Sequence, residues 1–280
     1  MKKLSKRRRK RKISNIAFQT MSNEQREYVK SYIKKSKRIT RYRMLILVLF
    51  FAFWEFATRV GMLDSFIFSS PSRIVKCFIG MSKDFSIYYH ISVTLYETFI
   101  SFLLVIILSI LIAILLWWND SISKVLEPYL VVLNSLPKSA LAPVFIVWLG
   151  NNAKTIIVAA ISVAIFGSII NLYTDFITTE EDKIKLIKTL GGTKKDVLFK
   201  VVIPSNIPSM ISIAKVNIGL TLVGVIIGEF LAAKAGLGYL IIYGSQVFKM
   251  DWVIMSITIL CIVAGGLYKL ISVVEKKFNY

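Results

Sequence analysis

Few side chains in this sequence could do chemistry, and their spacing shortens the list further. Histidine occurs once, at His90, and cysteine only at Cys77 and Cys261. A multi-histidine metal centre is excluded, and two scattered cysteines make neither a disulfide framework nor a metal site. No cluster of His, Asp and Glu and no Ser-His pairing beyond His90 points to an enzyme. No GxxxxGK[ST] phosphate loop occurs, so the chain cannot bind and hydrolyse ATP in the usual way. Glu55, Glu97 and Glu229 lie in or beside apolar runs, each near an end. The costliest charge is Lys138, between Pro137 and Pro143 in an apolar run. An ammonium at the bilayer centre costs roughly 2.5–3.5 kcal/mol on insertion scales. Either Lys138 snorkels or pairs with a carbonyl, or it faces a pathway, where it favours an anionic passenger.

The elements that must position these groups are membrane helices. The chain has 280 residues, 55% of them hydrophobic, in runs long enough to cross a bilayer as helix. The runs are 44–62, 91–118, 129–149, 156–176, 207–231 and 252–274. The third is interrupted by Asn134, Ser135, Pro137, Lys138, Ser139 and Pro143. Trp117-Trp118 closes the second, as suits a membrane–water boundary. The net charge is +20, but residues 1–43 hold about 17 of the 36 Lys and Arg. That distribution fits a cytoplasmic tail resting on anionic lipid and fixing orientation, without nucleic acid as a partner. The expectation is an all-α polytopic bundle of about six spans with both termini cytoplasmic. It comprises a basic tail, 1–43, and a transmembrane domain, 44–280, with a cytoplasmic loop at 178–205. Gly224 and Gly228 form a GxxxG pattern that suits close helix approach, as at a dimer face.

The 178–205 loop is too patterned for a linker. Ile184, Leu186, Ile187 and Leu190 give one face of a short helix, which Gly191-Gly192 then ends. Val197, Leu198 and Val201 mark a second short helix, and Pro204 and Pro208 start the next span. Such a pair either lies at the interface or docks a cytoplasmic partner.

At these residues the sequence resembles the permeases of ABC importers. Leu190-Gly191-Gly192-Thr193, then Val201, Ile203 and Pro204, is similar to their EAA loop: glycine, nine residues, an aliphatic, any residue, an aliphatic, proline. Lys185, Leu186 and Ile187 occupy the positions of the Glu-Ala-Ala triplet, with a base in place of the acid. Ser135-Leu136-Pro137-Lys138-Ser139-Ala140-Leu141-Ala142-Pro143, continuing to Trp148-Leu149-Gly150, resembles the third-span motif of the nitrate/sulfonate/taurine branch. Gly228-Glu229 with Gly236 and Gly238 resembles that branch's segment after the fifth span.

The resemblance implies a type I importer permease. Two copies, as a homodimer, would form the pore, and an ABC ATPase dimer would dock from the cytoplasm and use the ATP. An extracytoplasmic binding protein would deliver a small solute. This chain would hold no cofactor. Lys185, Leu186, Ile187, Leu190, Gly191, Gly192, Thr193, Asp196, Val201, Ile203 and Pro204 would make the ATPase-coupling loop. Asn134, Ser135, Pro137, Lys138 and Ser139 would line the pathway. The solute would be anionic, such as nitrate, a sulfonate or taurine; the alternative is an uncharged pyrimidine or thiamine precursor. A stand-alone secondary transporter or channel is the rival class, and it would need intramembrane carboxylates or paired half-sites.

Overall fold

A computed structural model describes residues 22–278, and every regular element among them is a helix. The chain forms two compact units, 1–65 and 66–280. In the first, helix α1 (Asn23–Arg59) opens on a capping box between Ser22 and Gln25. That cap satisfies amide groups which the first turn would otherwise leave bare. α1 runs without a break through position 43, so the expected boundary between tail and membrane domain falls inside a continuous helix. The Lys6–Lys12 basic run lies outside the described residues. Glu55 and Arg59 pair at 2.8 Å, as their four-residue spacing predicts.

The helices that follow are short α2 (Ser65–Phe68), α3 (Pro71–Lys83), α4 (Ser86–Trp118), α5 (Asp120–Ser135), α6 (Lys138–Leu149) and α7 (Ala153–Ile177). After them come α8 (Glu181–Thr189), α9 (Lys194–Ala232), α10 (Leu237–Gln246) and α11 (Met250–Phe278). Their starts are local chemistry. Ser70 with Pro71 starts α3, and the side chains of Asn119 and Asn152 accept backbone amides at the heads of α5 and α7.

Among the described residues, four helices (α4, α7, α9 and α11) are long and apolar enough to cross a membrane, or five if α5 and α6 count as one broken span. The expected sixth, residues 44–62, differs. Helix α1 ends at Arg59 and carries Glu55 within its apolar part, so by length and composition it does not rank with the others. The α5–α6 pair bends by 96° at Leu136-Pro137. Leu136 is extended (φ −63°, ψ 142°), as a residue before proline prefers.

Helix α7 packs chiefly on α9 and α4. The GxxxG pattern serves this contact rather than a dimer face. A Cβ on Gly224 would come 2.6 Å from the Cα of Ala160, and one on Gly228 would come 3.0 Å from that of Ile156. Only absent side chains let the two backbones approach so closely. Helix α9 also differs from expectation. It starts at Thr193, not at Pro204, and absorbs the second short helix of the loop. A π turn at Leu198–Val202 makes this possible. Ile203 N–H reaches back five residues to the Leu198 carbonyl, which relaxes the turn where Pro204 has no N–H to donate.

Candidate functional site

Three groups of residues could do the work of this chain. The first is the corner between α8 and α9. Leu190 ends α8, and Gly191 follows with φ +78°, the left-handed conformation that glycine adopts most freely. Gly191 N–H donates to the Lys188 carbonyl at 3.0 Å and Gly192 N–H to that of Ile187 at 2.9 Å, a complete Schellman motif. Gly192 has a different reason to be glycine, since a Cβ there would overlap Ile187. Thr193 and Asp196 then form the capping box that starts α9.

The apolar face expected on α8 is divided. Ile184 and Ile187 pack inward on a core of Leu172, Phe176, Val197, Leu198 and Val202. Leu186 and Leu190 point outward, 58% and 75% exposed, with Phe199 beyond them at 65%. Lys185, where the resemblance puts an acid, pairs with Glu181 at 2.9 Å. The acid therefore stands one turn earlier. Its hydrogen bond and attraction to Lys185 hold the Glu181 carboxyl below the usual carboxylate range. Lys194 fixes the corner to the bundle: its Nζ donates to the Trp118 carbonyl at 2.6 Å and lies 5.5 Å from the rings of Trp117 and Trp118. Val201 is buried; Ile203 and Pro204 continue α9 beyond the π turn.

The second group is the broken span. Lys138 Nζ donates to the Asn134 carbonyl, so its charge meets the free carbonyls at the end of α5. Ser135 donates to the Val131 carbonyl at 2.9 Å, Pro137 holds the bend and Ser139 is exposed. The Asn134 amide oxygen lies against Gly167 of α7, 3.4 Å from where a Cβ would stand.

The third group lies at the opposite end of the bundle and is the one the sequence least disclosed. Glu229 is 1% exposed, and its carboxyl accepts from Thr94 Oγ1 at 2.6 Å and from Gly238 N–H at 2.5 Å. Thr94 Oγ1 in turn accepts from Leu237 N–H at 2.8 Å, and His90 Nδ1 accepts from Gly236 N–H at 3.0 Å. Side chains of α4 and α9 thus cap the first turn of α10, which has no cap of its own. Gly236 (φ +122°) and Gly238 leave room for the carboxyl; a Cβ on Gly238 would stand 2.8 Å from Glu229 Oε2. Glu97 of α4, 2% exposed, is a second buried carboxyl, and its Oε2 has no hydrogen-bond partner. The signal for Glu97 was present in the Thr94, Glu97, Thr98, Ser101 spacing, a polar stripe on an otherwise apolar helix. One charge that the sequence reading did not single out, Lys215 of α9, pairs with Glu275 of α11 at 2.8 Å and lies over Tyr268.

Against this geometry stand the comparisons with known proteins. Residues 105–274 match the model of the family described as binding-protein-dependent transport system inner membrane component. The formylaminopyrimidine transport permease ThiX of Halalkalibacterium halodurans is 29% identical over 70% of this chain and 77% of its own. The putative aliphatic sulfonates transport permease SsuC of Bacillus subtilis is 22% identical over 84% and 85%. The taurine transport system permease TauC of Escherichia coli is 19% identical over 82% and 85%. In fold, a chain of the MetNI methionine ABC transporter, inward facing, superposes with a TM-score of 0.62 at 15% identity, over 71% of this chain and 99% of that one.

Proposed function

This chain belongs to the binding-protein-dependent transport system inner membrane component family, and we propose that it couples ATP used by separate subunits to solute movement through the corner at Gly191. It is the permease of an ABC importer, a multi-pass membrane protein of the inner membrane. The observation that carries the coupling reading is the division of α8. Ile184 and Ile187 anchor the helix to the bundle, and Leu186 and Leu190 stand exposed beside it. A helix fixed on one side and apolar on the other suits the groove of a partner.

The partner is a cytoplasmic ABC ATPase dimer, and ATP binds there, with no cofactor on this chain. A second copy of this chain completes the pore, and an extracytoplasmic binding protein supplies the solute. The lysines of the 178–205 loop support a cytoplasmic position for that end and for both termini. Asn134, Ser135, Pro137, Lys138 and Ser139 belong to the pathway. The relatives carry sulfonates, taurine or formylaminopyrimidine by name, so the solute is small. A proton-coupled carrier is the reading that two buried carboxyls, Glu97 and Glu229, would suit. Glu229 is occupied in holding α10, which favours the importer.

The test replaces Leu186 and Leu190 together with serine. Both side chains are exposed, so the permease should reach the membrane at the wild-type level. Co-purification of the ATPase should fall at least tenfold, since ~1.5–3 kcal/mol is lost with each buried leucine. A double variant that retains its ATPase and transports at the wild-type rate removes this corner from coupling.

A further inference from the structure

Between α7 and α9, midway along the membrane part of α9, lies a space of about 210 Å³ with both polar and apolar walls. Its hydrogen-bonding groups come from Ser168, Asn171, Ser212 and Asn217, with Gly167 and Leu220 among its walls. Asn217 is the informative residue. It is 2% exposed, its Oδ1 faces Ser168 Oγ at 2.8 Å, and its amide Nδ2 has no partner. Ser168 has one hydroxyl hydrogen and two acceptors within reach, Asn217 Oδ1 and the Ala164 carbonyl at 2.7 Å, so the amide's own bonds are only partly satisfied. Asn171 is exposed within the apolar run 156–176, where lipid offers no hydrogen bond. An unpaired buried amide and an exposed asparagine at the same depth are both costly in hydrocarbon. Both are accounted for when something polar passes between them.

The space holds no titratable side chain. Lys215, the nearest charge along α9, is turned to Glu275 and Tyr268, and Lys138 is held by Asn134. An anion leaving water here would meet neither a cation nor a helix N-terminus to replace its hydration. Carboxamides and hydroxyls present donors and acceptors side by side, the pattern that an amide or an aminated ring nitrogen complements. The volume is under the ~300–1,000 Å³ of drug-sized pockets and equals about seven waters at roughly 30 Å³ each.

We propose that Ser168, Asn171, Ser212 and Asn217 form the mid-membrane recognition site of the transported solute, and that this solute is an uncharged, small heterocycle of the aminopyrimidine class rather than an anion. The proposal rests on the importer reading above and narrows it to one substrate chemistry.

The experiment reconstitutes the permease with its ATPase and binding protein in proteoliposomes. It measures ATP-driven uptake of formylaminopyrimidine, taurine and ethanesulfonate by wild type, Asn171→Leu and Asn171→Gln. Asn171 is exposed, so the leucine variant should assemble, which recovery of the ATPase and the size of the complex will report. Formylaminopyrimidine should accumulate and the two sulfonates should not. Asn171→Leu should slow uptake about tenfold, the scale of one or two lost hydrogen bonds, and Asn171→Gln should restore most of it. Preferential uptake of taurine or ethanesulfonate overturns the proposal, as does a wild-type rate in Asn171→Leu. Separation of the two permease copies by Asn171→Leu overturns it as well, since the asparagine would then be a dimer contact. If none of the three solutes accumulates while the ATPase co-purifies, the substrate class is wrong. If the ATPase does not co-purify, the importer reading itself fails.

Discussion

Gly191 and Gly192 are neighbours with different obligations. At Gly191 the constraint is conformational: φ is +78° and nothing stands within 4 Å of an added Cβ. At Gly192 the constraint is space, since a Cβ would stand 2.8 Å from the Ile187 carbonyl oxygen. Gly191→Val should therefore cost about 1–2 kcal/mol of backbone strain, whereas Gly191→Asn should be milder, because asparagine tolerates the left-handed region. Both should reach the membrane, with ATPase recovery falling in the order glycine, asparagine, valine; equal recovery from all three would sink the coupling role of the turn. The motif named Gly191 for the right physical reason, a helix end. It named Glu229, Gly236 and Gly238 as well, but their relation was not legible. Glu229 meets Gly238 nine residues on and Thr94 at a separation of 135, and no local pattern encodes a contact between distant helices.

Among the elements, local periodicity was readable and partners were not. The face of α8 was predicted as one apolar stripe, and only tertiary packing decides that Ile184 and Ile187 go in while Leu186 and Leu190 stay out. The start of α9 was misplaced because proline usually opens a helix, and a π turn that accommodates Pro204 leaves no mark in composition. The segment holding α10 was read only as a motif, since its first turn is capped by side chains of other helices. Gly224 and Gly228 were rightly read as a close-approach surface and assigned to the wrong neighbour. Their role in α7–α9 packing has a direct test. Gly224→Ala should destabilise the solubilised permease by about 1–3 kcal/mol through overpacking against Ala160. Gly219→Ala, with nothing within 4 Å of the new Cβ, should leave stability unchanged or slightly raised. Thermal aggregation in detergent compares the two, and equal midpoints would show that α7 and α9 do not pack as described.

For the whole molecule, charge and hydropathy gave the class, the broken span and most helix positions, because insertion into lipid depends on those sums. The run at 44–62 sits on a helix that carries Glu55 and ends at Arg59, so composition alone does not rank it with the other spans, and the proposed orientation needs it to cross. The proposed orientation predicts that a reporter fused after Lys194 is active in the cytoplasm and one fused at Pro71 outside it; the reverse pattern would invert the bundle.

The close approach of α9 to α7 also has a mechanical consequence. Helix α9 is a 39-residue rod, and it is gripped most tightly at Gly224 and Gly228, near one end. From Lys194 to Gly224 is roughly 45 Å at 1.5 Å per residue, and from Gly224 to Glu229 only about 8 Å. A rod pivoting at that grip is a lever with arms of about six to one. Wide travel at the Gly191 corner becomes a short, forceful displacement at the Glu229 clasp, as in a nutcracker. Asn217 lies on the long arm and Glu229 on the short one, so the two swing in opposite senses.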